Sequence, residues 1–227
     1  MAEKMKDCIY APYCDKECTN MCIRYLEIRY LLDTSNIPKS KQKINVLYPE
    51  DCDIGAFTKL AEIRDKIKDF VSSGSNLYIY STTCGNGKTT WAIKLMLQYF
   101  NESWACNGFT QKGIFINVPT FLTQCKSTIS KPDQKFFDLR DNLSNVDLVI
   151  FDDIASTKLS EYDYNTLLTF IDQRAIQEKS TIFTGNVLPD NLPNYVGERL
   201  ASRIAHNSTL IKLSGRDMRN GPATITE

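Results

Sequence analysis

The chain has 227 residues, 42% hydrophobic and 24% charged, enough for one well-packed core with a small appendage. Lys and Arg balance Asp and Glu at 27 each, so no global field draws the protein toward nucleic acid or an anionic membrane. The N-terminal stretch MAEKMKDCIY is too charged for a signal peptide, and the apolar runs are far too short to span a bilayer. A cytoplasmic protein without membrane contact is expected, and any DNA contact must come from a local basic patch that is salt-sensitive. The single histidine, His206, excludes His-rich catalytic metal sites and a Ser-His-Asp site with a spare ligand histidine.

Four of the eight cysteines crowd into residues 8 to 22, and the rest (Cys52, Cys84, Cys106, Cys125) are scattered. In a cytosolic chain such a cluster reads as metal binding before disulfides. Cys8, Cys14, Cys18 and Cys22 could close a structural Zn²⁺ site, and on a helix the last three would share one face. An iron–sulfur cluster also takes four cysteines, and buried free thiols are the bland reading.

Three segments follow in order: a cysteine-rich module over residues 1–35, a linker over 36–55, and an alternating α/β region over 56–219 before a tail, 220–227. The module carries the helical stretch CIRYLEIRYLLD. The linker has Pro38, Pro49 and a basic run, with no clear period. FTKLAEIRDKIKDFV has apolar residues at helical spacing. Strand LYIY, a glycine loop and helix KTTWAIKLMLQYF come next, then strand GIFINV and helix TFLTQCKSTI. Strand DLVIF ends at Asp152-Asp153, and Ser160 with Asp163 forms a capping box for helix YDYNTLLTFIDQRAI. Strand STIFTGN, helix YVGERLASRIAH and strand TLIKLSG complete the series. Short apolar strands separated by helices predict a parallel sheet covered on both faces, with ligands bound at the carboxyl ends of its strands.

The glycine loop, TTCGNGKTT, sits between strand and helix, as a P-loop requires. Its backbone N–H groups and the helix N-terminus would face the phosphates of ATP or ADP, with Thr83, Cys84, Gly85, Asn86, Gly87, Lys88, Thr89 and Thr90 as the binding segment. Lys88 would reach the β- and γ-phosphates, and the Thr89 hydroxyl would ligate Mg²⁺. The first P-loop glycine is replaced by Thr82, a substitution tolerable at negative φ, which is therefore predicted. In NVDLVIFDDIAS an apolar strand ends in acid, the Walker B pattern. There Asp152 would hold Mg²⁺ and Asp153 would orient or deprotonate the attacking water. Asn186, closing IFTGN, could hold that water or sense the γ-phosphate, unless it is a turn residue. Arg199 and Arg203 share a helix face, either as a surface ion-pair face or as an arginine finger reaching a neighbour's ATP.

CGNGKTT, VIFDDI, IFTGN, GERLASRI and LSGRDMR stand in the order found in AAA+ ATPases of the DnaC/DnaI helicase-loader group, and the chain resembles that group over about residues 55–219. The resemblance implies an AAA+ core with strand order 5-1-4-3-2, Asn186 as sensor 1 and Arg203 as a finger acting in trans, with Arg199 the runner-up. Arg216 and Arg219 resemble sensor 2 residues, Arg219 being the candidate nucleotide contact. Three departures are expected to matter: Thr82, Asp153 where most AAA+ proteins have Glu, and an end at NGPATITE that leaves no room for a helical lid. The shorter Asp153 suits slow, DNA-stimulated hydrolysis, a switch more than a motor.

The resemblance further implies head-to-tail self-assembly on ATP or DNA, binding of single-stranded DNA, and a DnaB-type replicative helicase as partner, gripped by the N-terminal module. Phe121, Lys126 and Lys131, on the helix after INVP, could offer an aromatic and basic DNA surface, or simply form an amphipathic helix. Competing readings are an IstB-like transposition helper, a non-hydrolysing ATP-switched adaptor, and a nucleotide kinase, for which no lid insert is evident.

Overall fold

The computed structural model describes residues 8–11, 14, 22–43, 46–105 and 108–218. Five short strands form one parallel sheet: β1 (Asn76–Tyr80), β2 (Gly113–Asn117), β3 (Leu148–Ile154), β4 (Ser180–Gly185) and β5 (Ser208–Lys212). Their spatial order is β2-β3-β4-β1-β5, the expected 5-1-4-3-2 read from the other edge. The three central strands, β1, β3 and β4, are almost wholly buried, as a sheet covered on both faces demands.

On one face lie α1 (Ile23–Thr34), α2 (Ile54–Asp65), α3 (Ile67–Ser72) and α4 (Lys88–Ser103), packed with Leu77, Ile79, Ile150 and Ile182 from the sheet. On the other lie α5 (Val118–Ser130), α6 (Gln134–Asn142), α7 (Glu161–Ile176), α8 (Leu192–Val196) and α9 (Glu198–Ala205), around Tyr78, Phe151 and Phe183. The helix of the cysteine-bearing segment, α1, buries Ile28, Leu31 and Leu32 in the same core as α4. Just after it, the Ser35 carbonyl accepts from Phe115 N at 2.7 Å and Asn36 Nδ2 donates to the Phe115 carbonyl at 2.9 Å, which covers the exposed edge of β2.

Several elements depart from the linear reading. The helix expected over 57–71 breaks at Lys66, whose N–H is shared between the Glu62 and Ile63 carbonyls as φ moves to −118°. The helix expected over 195–206 is interrupted at Gly197, whose φ of 80° lies outside helical space. Helix α6 is absent from the linear reading; it buries Phe136, with Phe137 and Leu139 partly buried against the same core, and Asp133 caps it by accepting from the N–H groups of Lys135 and Phe136. Strand β3 runs on through the acidic pair to Ile154. The capping box holds: Ser160 accepts from the Asp163 N–H at 3.3 Å, and its hydroxyl donates to the Asp163 carboxylate at 2.6 Å.

Arg174 on α7, 1% exposed, locks the ends of three elements together. It donates to the carbonyls of Leu143, Val146, Asp147 and Ser180 and to the Thr181 hydroxyl. Burial pushes its pKa down to about 9, with the Asp147 charge opposing, so it stays charged at neutral pH.

Candidate nucleotide site

The strand ends converge on a cleft of about 470 Å³ lined by Cys84, Gly85, Asn86, Gly87, Lys88, Thr89, Thr90, Asp153 and Asn186. The loop geometry follows from its glycines. Gly85 has φ 73° and Gly87, the residue before α4, has φ 98°. A side chain at Gly85 would also collide with the Asp217 carboxylate. Thr82 is not among the non-glycine residues with positive φ, as its branched side chain requires.

The P-loop is braced from within. Lys88, 6% exposed, folds back so that Nζ donates to the Thr83 carbonyl at 2.9 Å and to Asn86 Oδ1 at 3.2 Å. Asn86 Nδ2 donates to Ser81 Oγ at 2.6 Å and to the Leu213 carbonyl at 3.2 Å, so the Asn86 side chain ties the loop to the chain leaving β5. Its side chain thereby serves the loop itself.

The acidic pair is aimed by a bulge. Between Phe151 and Ile154 strand β3 carries one more residue than β4 between Phe183 and Gly185. In a regular strand Asp152 and Asp153 would face opposite sides of the sheet; the extra residue, with Asp153 at φ 60°, lets Asp153 line the cleft. Asp152, 3% exposed, takes Thr89 Oγ1 at 2.6 Å and Thr184 Oγ1 at 2.7 Å on the same oxygen. The Thr184 hydroxyl in turn accepts from the Asp153 N–H at 3.1 Å. Thr184 thus links both acids, a role missed in the sequence although it lies within IFTGN. Asn186 Oδ1 is buried and has no hydrogen-bond partner among the described residues, and the residue borders the cleft.

These groups fit a nucleotide with Mg²⁺. The glycine loop and Lys88 match phosphate, the Thr89–Asp152 pair matches the first shell or water shell of the metal, and Asn186 presents a polar atom still to be satisfied. The segment expected as a linker also lines the cleft, with Lys41, Val46, Leu47 and Tyr48, together with Phe57 and Met218. The sequence held no local signal for it, because no period marks these residues. The same segment holds the chain after β5. Asp53, 3% exposed, accepts from Ser214 N at 2.6 Å and Gly215 N at 2.9 Å, and Met218 N donates to the Gly85 carbonyl at 3.1 Å.

Other candidates fall elsewhere. Arg199 and Arg203 both pair with Asp172 of α7, and neither lines the chain's own cleft. Arg216 pairs with Glu50 at 2.8 Å with its side chain 79% exposed, and Arg219 lies outside the described residues. Of the two readings of α5, Phe121 fits the amphipathic helix and drops out of any DNA surface. Phe121 is 2% exposed, packed against Phe136 and Phe170, because it fills the core beneath the helix and cannot stack on bases. Lys126 bridges to Asp163 at 2.8 Å.

The zinc expectation finds no support. No three His, Cys, Asp or Glu side chains, Cys8, Cys14 and Cys22 included, gather as a metal site among the described residues. Cys18 lies outside those residues. Cys8 and Ile9 instead pack against the core, and Tyr10, 6% exposed, donates to the Leu97 carbonyl at 2.7 Å. No helix among the described residues is long and apolar enough to cross a membrane.

No protein-family model matches the chain. A curated relative, the replicative helicase loader DnaC of Escherichia coli K12, is 24% identical over 166 residues, 72% of this chain and 63% of the relative. The chain therefore spans under two thirds of the length of the curated relatives it matches. Among solved structures, a DnaC helicase loader superposes with a TM-score of 0.64 at 19% identity, covering 78% of this chain and 99% of that one. DnaI superposes at 0.59 and 19% identity, covering 78% and 95%. DnaA of Aquifex aeolicus superposes at 0.55 and 20% identity, covering 74% and 48%. In sequence and in fold, the chain is similar to the DnaC-type AAA+ helicase loaders.

Proposed function

We propose that this protein is an ATP-switched loader that delivers a DnaB-type replicative helicase onto single-stranded DNA. The observation that carries it is the joint one: the DnaC likeness spans 72% of the chain, and it coincides with a cleft whose P-loop, acidic pair and Asn186 converge. Lys88 exchanges its loop carbonyl for the β- and γ-phosphates, and the loop N–H groups hold the rest of the phosphate chain. Val46, Leu47 and Tyr48 give the base an apolar wall. Mg²⁺, held by Thr89 and Asp152, would neutralise phosphate charge. Asp153 accepts the proton of the attacking water, and the orphan Asn186 oxygen orients that water or reports the γ-phosphate.

Assembly is head to tail, so that Arg203 completes the site of an adjoining subunit; its absence from its own cleft supports this. Hydrolysis is slow, because the short Asp153 carboxylate stops a methylene short of the usual Glu. The test is co-purification with a DnaB-type helicase, with and without ATP, for wild type and Lys88→Ala. A complex whose stability changes with ATP only in the wild type is expected. No complex under any condition refutes the loader reading and favours a transposition helper.

A further inference from the structure

Asp172 sits on α7 with its side chain 17% exposed, and each of its oxygens takes one guanidinium. Arg199 Nη2 donates to Oδ2 at 2.6 Å, and Arg203 Nε donates to Oδ1 at 2.6 Å. Both arginines leave α9 one turn apart, on the flank beside the buried Leu200, Ala201 and Ile204. Their attachments differ. Arg199 is held by a terminal nitrogen, so part of its fork is turned in on Asp172. Arg203 is held at the root of the fork, and its Nη1 and Nη2 make no hydrogen bond among the described residues.

A guanidinium gripped at Nε has lost much of its rotational freedom and keeps its terminal N–H donors in one plane, the arrangement that meets a phosphate oxygen edge. Arg199 would have to release Asp172 before it could do the same. We propose that Asp172 is the positioning residue of the trans-acting arginine: it holds Arg203 at Nε so that both Nη groups project toward the γ-phosphate of a nucleotide on the adjoining subunit. Arg199 occupies the other oxygen and keeps the carboxylate from rotating. The inference rests on the arginine-finger reading above and adds the choice between the two arginines and the group that aims the chosen one. It also accounts for both ion pairs lying outside the chain's own cleft.

The test compares kcat, nucleotide affinity and ATP-dependent assembly for wild type, Arg199→Ala, Arg203→Ala, Asp172→Ala and Asp172→Asn. Thermal melts confirm that each variant is folded, and Asp172→Asn serves if the Ala variant is not. Arg203→Ala should lower kcat by about 10³-fold or more, on the scale of such arginines. Asp172→Ala should lower it by about 10–100-fold, the cost of a misplaced group, with nucleotide affinity unchanged. On an Arg203→Ala background it should add nothing. A trans arm isolates the role. Arg203→Ala subunits, whose own site is intact, should regain turnover when mixed with Lys88→Ala subunits, and should regain about 10–100-fold less with Lys88→Ala/Asp172→Ala subunits. If Asp172 variants keep kcat while Arg203→Ala loses it, the positioning role is wrong and the finger stands. An Arg199→Ala loss as deep as that of Arg203→Ala overturns the choice of Arg203. If Arg203→Ala keeps kcat, or the wild-type chain neither assembles with ATP nor hydrolyses it, both readings fall.

Discussion

Replacing Thr184 by Val keeps the shape of the side chain and removes one hydroxyl, which makes it a test of how the two acids are held. That hydroxyl donates to Asp152 Oδ1 at 2.7 Å and accepts from the Asp153 N–H at 3.1 Å, and Thr184 is fully buried. A hydrogen bond to a charged acceptor contributes about 1.5–3 kcal/mol, and a buried N–H left without an acceptor costs about 1–3 kcal/mol. Thr89 still donates to the same Asp152 oxygen, so the first loss falls at the low end. The sum is about 3 kcal/mol, which for a chain of this size lowers Tm by about 6–12 °C. Thr184→Ser keeps the hydroxyl and loses only a buried methyl, about 1 kcal/mol. Thermal and urea melts of the three proteins measure this directly. Turnover should fall further in Thr184→Val than in Thr184→Ser, because only the Val variant frees the Asp153 backbone from its bulged conformation. A Val variant that melts with the Ser variant, or loses less than about 1 kcal/mol, would refute the argument that this hydroxyl ties the acidic pair together.

Arg174→Met should cost about 3–5 kcal/mol in urea melts, since it strips donors from three buried carbonyls, a part-buried one and a buried hydroxyl; a near-neutral Met variant would show those carbonyls to be satisfied otherwise. Burial pushes the Asp163 carboxyl up, but the Lys126 ammonium and the Ser160 hydroxyl outweigh it, so its pKa lies below the ordinary carboxylate value. A depressed carboxylate pKa contributes stability that is present above the unfolded value of about 3.9 and is lost as pH falls through the folded one. Lys126→Met should therefore be less stable than wild type at neutral pH, with the gap closing below about pH 4; a gap that stays constant across that window would rule the linkage out.

The parts of the molecule legible in the chain are those that local physics writes into neighbouring residues. Strand periods, the Ser160 cap and the Gly85–Lys88 spacing depend on contacts a few residues apart, so the alternating order of elements and the P-loop could be read directly. Even the tolerance of Thr82 followed from backbone sterics alone. What the chain could not reveal depends on which elements meet. Asp152 and Asp153 are adjacent in any reading, but only pairing with β4 creates the bulge that lets Asp153 line the cleft and brings Thr184 between the two acids. For Phe121 the chain leaves base stacking and core packing both open, and only the laying of α5 on the sheet, with the ring against Phe136 and Phe170, decides for the core. The stretch expected as a linker has no period because its side chains answer to a cleft and to the β5 exit instead of to a helix or strand of its own. Asp172 and Arg203 are 31 residues apart, and nothing short of the packing of α9 on α7 joins them. Sequence determined the chemistry available at each position; the tertiary fold decided which of those groups share a site, because contacts between distant residues are set by the packing of whole elements.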